Sequence, residues 1–130
     1  MAKGLRLYKK EKLCSEIAIG RLFSRSADVS SAVAYPLRAV WRQNASRKSD
    51  APLAFVISVP KKRLRHAVDR VAMRRRIREA YRLSRHTVDM PEGSRLDVAF
   101  LYLSDKLKPY AEVEAAVVAL LDKIRKSRES

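Results

Sequence analysis

The sequence predicts one domain of the α+β class, and three observations carry that reading. Two long stretches place apolar residues at helical spacing. Three shorter runs show strand-like alternation or continuous apolar character, and prolines stand at the borders of these segments. A chain of 130 residues can bury roughly two thirds of the surface its unfolded form exposes. Hydrophobic residues at 47% supply the material for a core. There is no internal repeat, no heptad run and no second domain, so residues 1–130 form a single unit.

Charge is concentrated in one place. The formal net charge is +15, and Lys61 to Arg85 holds eleven Lys or Arg against Asp69 and Glu79, which is +9 of it. A helix over Val68 to Leu83 aligns Met73, Ile77, Ala80 and Tyr81 on one face. Arg74, Arg78 and Arg82 then climb the neighbouring face at i+4 steps with Arg75 beside them. The ordinary alternative is a solvated face with Arg75 paired to Glu79. One Glu cannot offset so many Arg, and like charges one turn apart repel unless an anion lies between them. The pattern therefore calls for a polyanionic partner, and a phosphate backbone matches it.

The remaining elements follow in order. Residues 1–14 are a basic leader, expected to be partly disordered without a partner. Ser15 is placed to cap a short helix bearing Ile19, Leu22 and Phe23 on one side. Core packing is the ordinary role for Ile19 and Phe23, while an aromatic beside basic residues also suits stacking on an unpaired base. Ser24 to Ala34 reads as a connecting loop. Leu37 to Arg42 alternates, with Leu37, Ala39 and Trp41 on one face and Arg38, Val40 and Arg42 on the other. Those two Arg either meet solvent or floor a basic groove.

Asn44 to Asp50 is a polar loop, and Leu53 to Val59 is the apolar run of a buried strand, expected to form an antiparallel hairpin with the strand before it. Lys61, Lys62, Arg63 and Arg65 lead into the central helix. Pro91 and Gly93 mark a turn, Leu96 to Leu103 a third strand, and Pro109 the start of a last helix with the stripe Val113, Val117, Leu120, Leu121 and Ile124. Glu112 and Glu114 suit the positive end of that helix, and Lys123, Arg125 and Lys126 the negative end.

Several chemistries lack their residues. The acids are scattered singly, the two histidines His66 and His86 form no ligand motif, and there is no Gly-rich phosphate loop. Neither catalysis nor metal binding by side chains is expected, nor a small-molecule cofactor. The lone Cys14 suits a reducing compartment. With no secretory h-region and no apolar run of membrane-spanning length, a cytoplasmic protein without a membrane partner is expected.

Four segments together, LRLYKKEKLCSEIAIGRLF, YPLRAVWR, FVISVPKK and AVDRVAMRRRIREAYR, resemble the protein component of bacterial ribonuclease P across nearly the whole chain. The resemblance implies a small two-layer α+β sandwich with an N-terminal helix, a central sheet containing a left-handed βαβ crossover, and a C-terminal helix. From the residues alone the right-handed form, found in about 98% of such units, is the expectation. It further implies a subunit that binds a large catalytic RNA and precursor tRNA, assisting removal of the 5′ leader, with the chemistry and Mg2+ carried mainly by the RNA. The implied contacts to the catalytic RNA are Lys61, Lys62, Arg65, His66, Arg70, Arg74, Arg75, Arg78 and Arg82. The implied leader cleft comprises Ile19, Phe23, Arg38, Val40 and Trp41. The family's Arg-Asn-Arg signature falls on Arg70, Val71 and Ala72, so two of its three positions differ, and Arg76 stands where the family often has an apolar residue. The rival readings are a ribosomal or chaperone-like RNA-binding protein and, last, a DNA-binding helix.

Overall fold

The computed structural model describes residues 29–43, 53–84 and 96–129. Strands β1 (Ser30–Ala34), β2 (Leu37–Gln43) and β3 (Leu53–Ser58) are followed by helix α1 (Ala67–Ser84), strand β4 (Leu96–Tyr102) and helix α2 (Tyr110–Glu129). The basic leader, the helix expected from Ser15 with Ile19 and Phe23, Cys14, the 44–50 loop, His86 and the Pro91/Gly93 turn lie outside the described residues.

The strands form one mixed sheet in the order β1-β2-β4-β3. β2 pairs antiparallel with β4, with Ala39 opposite Phe100 and Trp41 opposite Val98, and β3 pairs parallel with β4. The expected hairpin between the second and third strands is therefore absent, because β4 is inserted between them. The insertion follows from hydrophobicity: six of the seven β4 residues are buried, and a strand apolar on both faces gains most at the centre of a sheet. β3, α1 and β4 together make the βαβ crossover. The loop expected up to Ala34 contains a strand instead. Ser30–Ala34 has the small residues of a poor strand former, but pairing with β2 along its full length, from Ser30 opposite Trp41 to Ala34 opposite Leu37, satisfies its backbone. The Tyr35–Pro36 turn that joins the two strands contains a cis peptide bond.

Both helices join the core on one face of the sheet. Met73, Ile77, Ala80 and Tyr81 of α1 are fully buried, and so are Val113, Val117, Leu120, Leu121 and Ile124 of α2. They share one cluster with Leu37, Ala39, Trp41, Phe55, Val98 and Phe100. Tyr81 sits between two strand aromatics, with ring centroids 4.4 Å from Phe55 and 5.7 Å from Phe100, the latter edge-on. Such pairs add about 0.5–1.5 kcal/mol beyond the area they bury. A second cluster of Val40, Ala54 and Ala99, flanked by Val56 and Leu101, lies on the opposite face.

Truncating the α1 stripe should be costly and trimming its outer face should not. Ile77→Ala is expected to lower stability by about 2–5 kcal/mol. Arg75→Gln should stay within about 0.5 kcal/mol. Urea denaturation with unchanged m-values checks both, and equal effects would mean that α1 is not seated by this face.

Candidate nucleic-acid interface

The approach to α1 is fixed before the cations are presented. Pro60 accepts backbone hydrogen bonds from Arg63 and Leu64 at 3.0 and 3.2 Å, and Leu64 is buried. The His66 carbonyl accepts from the Asp69 and Arg70 amides, opening the helix. The Arg70 guanidinium reaches back, donating to the carbonyls of Leu64 at 2.9 Å and Arg65 at 2.8 Å. Lys61, Lys62, Arg65 and His66 are therefore exposed side chains on a loop anchored by Leu64 and tied by Arg70.

On the helix itself, burial of Met73 and Ile77 turns Arg74, Arg75 and Arg78 to solvent, where all three are exposed. Arg74 and Arg78 are one turn apart, so the repulsion anticipated from spacing is present in the fold. Arg82 behaves differently. Its guanidinium donates to both carboxylate oxygens of Glu79, through Nε at 3.2 Å and through Nη2. This contact holds the Glu79 carboxyl below its ordinary range, with the side-chain hydrogen bond from Arg82 the leading cause. Glu79 is paired with Arg82 at i+3 and not with Arg75, the partner of the ordinary alternative. Arg76 also points inward, donating to the backbone carbonyl of Lys108 beyond β4.

The sheet residues separate just as sharply. Arg38 is exposed and Val40 is buried in the second cluster, both on the face away from the helices. Trp41 is 6% exposed and packs in the helix-covered core, so it shares no surface with Arg38 and Val40. Strand alternation requires this, since a residue adjacent to Val40 points through the sheet. The fully buried Asp97 was not singled out from sequence. It stands opposite Arg42 in the β2–β4 register and brings a carboxylate to the same face. Only the pairing of β4 with β2 reveals it.

Over residues 7–125 the chain matches the Ribonuclease P family. It belongs to that family. Two relatives named "Ribonuclease P protein component", from two strains of Porphyromonas gingivalis, are each 33% identical over 127 residues, covering 95% of this chain and 85% of the relative. Within this member of the Ribonuclease P family, Val71 is 42% exposed, Ala72 is half-buried, and Arg70 is engaged with the preceding loop. The exposed charge accordingly lies one turn further along, at Arg74, Arg75 and Arg78. Among the described residues no group of three or more His, Cys, Asp or Glu is gathered for a metal ion, and no helix is long and apolar enough to cross a membrane.

Glu79 restrains one cation of this surface, which makes two outcomes measurable. A carboxyl with a lowered folded pKa contributes stability above its unfolded pKa and loses it as pH falls through the folded value. The pair is well exposed, so the contribution is small. An NMR pH titration should find the Glu79 midpoint below the ordinary carboxylate value, moving up to that value in Arg82→Gln. Glu79→Gln should also retain the fold and elute later than wild type from immobilised heparin, because Arg82 is released. Unchanged retention would show that Arg82 does not belong to the anion-facing surface.

Proposed function

We propose that this chain is the protein subunit of ribonuclease P, binding the catalytic RNA and the 5′ leader of precursor tRNA to assist magnesium-dependent endonucleolytic removal of the leader. The observation that carries the reading is the set of six exposed cations, Lys61, Lys62, Arg65, Arg74, Arg75 and Arg78, on a tied loop and the helix it opens. The backbone that carries these cations is already folded, so only their side chains are ordered on binding, and their helical spacing suits successive phosphates. His66 adds a polar ring on the same loop. Arg70 acts as a positioning residue that shapes the loop, and Arg82 contributes in proportion to its release from Glu79.

The leader is assigned to the opposite sheet face. The exposed Arg38 stands on that face for a phosphate, beside a cluster of Val40, Ala54 and Ala99 that is itself buried. Ile19 and Phe23 complete the assignment by family resemblance. Trp41, in the core, takes no part. By family resemblance, magnesium is assigned to the RNA. The protein's contribution is to lower repulsion between approaching backbones, which lets cations bind the RNA more readily. Such a subunit acts in the cytoplasm, where tRNA is processed.

Two measurements test the reading. Added to the catalytic RNA at low magnesium, the protein should raise cleavage of precursor tRNA, while protein freed of RNA should cleave nothing. A ribosomal or chaperone-like RNA-binding protein would leave that cleavage unchanged. The triple change Arg74→Gln, Arg75→Gln and Arg78→Gln should weaken RNA binding and reduce the log–log salt slope by about two to three, at roughly 0.7–0.9 per lost phosphate contact. The comparison set Lys123→Gln, Arg125→Gln and Lys126→Gln removes the same formal charge. It should reduce the slope less, because Arg125 and Lys126 pair with Asp122 and Lys123 donates to the Val33 carbonyl. Equal losses would mean that binding follows net charge instead of the α1 surface.

A further inference from the structure

The end of the sheet from which the basic loop emerges carries a second surface that the charge run does not include. β3 and β4 are parallel and β2 runs against them, so the loops after β3 and β4 and the β1–β2 turn all leave the same end. At that turn Tyr35 is 63% exposed and Val33 53% exposed. The Lys108 ammonium lies 5.8 Å from the centroid of the Tyr35 ring. The Lys123 ammonium donates to the Val33 carbonyl at 3.0 Å, bringing a second cation to the turn. Lys106 is exposed two residues before Lys108. Opposing them are the exposed Asp105 and the Glu112 carboxylate, 4.0 Å from Lys108.

The loop that holds Lys106 and Lys108 is fixed on several sides. The Tyr102 hydroxyl donates to the Lys106 carbonyl and accepts from the Lys108 amide at 3.2 Å. The Lys106 amide donates to Ser104 Oγ at 3.0 Å, and the Leu103 amide to the Pro36 carbonyl at 2.8 Å, joining loop to turn. Arg76 of the basic helix donates to the Lys108 carbonyl, joining loop to α1. An exposed aromatic ring beside a cation, held by hydrogen bonds on a framework tied to the basic helix, has the features of a base-stacking platform.

We propose that Tyr35, with Lys108 over its ring and the exposed Lys106 on the same loop, binds an unpaired nucleotide of the catalytic RNA, the base stacking on the Tyr35 ring and its phosphates meeting these two ammonium groups. Lys123 stays engaged by the Val33 carbonyl and only ties α2 to the turn. This assignment rests on the RNA-binding function proposed above and extends that contact across the sheet end, beyond the loop and helix. The catalytic RNA is favoured over the leader because the platform is tied through Arg76 to α1, on the opposite side of the sheet from Val40.

The test uses the full chain and the catalytic RNA of ribonuclease P. Tyr35→Ala should weaken binding about 5- to 150-fold, the range expected for loss of one base–aromatic stack, and Tyr35→Phe should bind within about two-fold of wild type. Lys108→Gln should weaken binding and lower the salt slope by about 0.7. In RNA carrying 4-thiouridine, a crosslink should map to the peptide containing Tyr35 at a position unpaired in the RNA. Wild-type affinity in Tyr35→Ala would overturn the inference while leaving the proposed function intact, and would hand the surface to a protein partner. A loss confined to leader-bearing precursor would equally overturn it. Failure of the wild-type protein to bind the catalytic RNA would instead remove the function on which it rests.

Discussion

Seating α1 on the sheet through Met73, Ile77, Ala80 and Tyr81 is the constraint from which the rest of the surface follows. Four fully buried side chains at helical spacing leave the helix no freedom to rotate about its axis, since a turn of one residue would bring an arginine against Phe55 and Phe100. The rotation being fixed, Arg74, Arg75 and Arg78 can only face outward. Repulsion among them is tolerated because the apolar contacts beneath, with Met73 and Ile77 each contributing roughly 1.5–3 kcal/mol, outweigh exposed charge–charge terms of a few tenths. A surface held in an unfavourable electrostatic arrangement by the core behind it gains when an anion arrives. That is the physical basis for expecting a polyanion at this helix.

The basic residues of this stretch do different things despite their common charge. Arg70 and Arg76 satisfy backbone carbonyls at two places the helix must be joined to, the loop before it and the loop after β4. Arg82 is engaged by Glu79. The exposed ones have no such structural duty. This division keeps the helix basic while Arg70 orders the loop before it and outward charge is supplied further along, at Arg74, Arg75 and Arg78. It also ties the loop bearing Lys106 and Lys108 to the helix through Arg76, a position where an apolar side chain could make no such bond.

Sheet topology then determines what lies beside what. Because β3 and β4 run parallel and β2 runs against them, the β1–β2 turn, the loop after β3 and the loop after β4 are brought to one end although they are far apart in sequence. The two faces divide in the same way. Large apolar side chains and both helices occupy one, while small residues with Arg38, Val40 and Asp97 occupy the other. The exposed Arg38 on the face away from both helices underlies the proposed placement of the leader.

The bounds of α1, the start of α2, the buried stripe of each, the alternation of β2 and the apolar run of β4 were all legible in the sequence, because each depends on a local period imposed by burial on one side or both. Charge concentration in residues 61–85 was equally legible, and with it the class of partner. Strand order was not. The choice between a β2–β3 hairpin and an inserted β4 depends on which arrangement covers the most apolar strand on both sides, a comparison between segments that no local pattern contains. The strand Ser30–Ala34 escaped notice because its order comes from a neighbour's unpaired backbone and not from its own residues. The roles of individual arginines were hidden for the same reason. Identical in sequence, Arg70, Arg76 and Arg78 are distinguished only by whether the tertiary fold brings a carbonyl within reach, and that decision belongs to the packing.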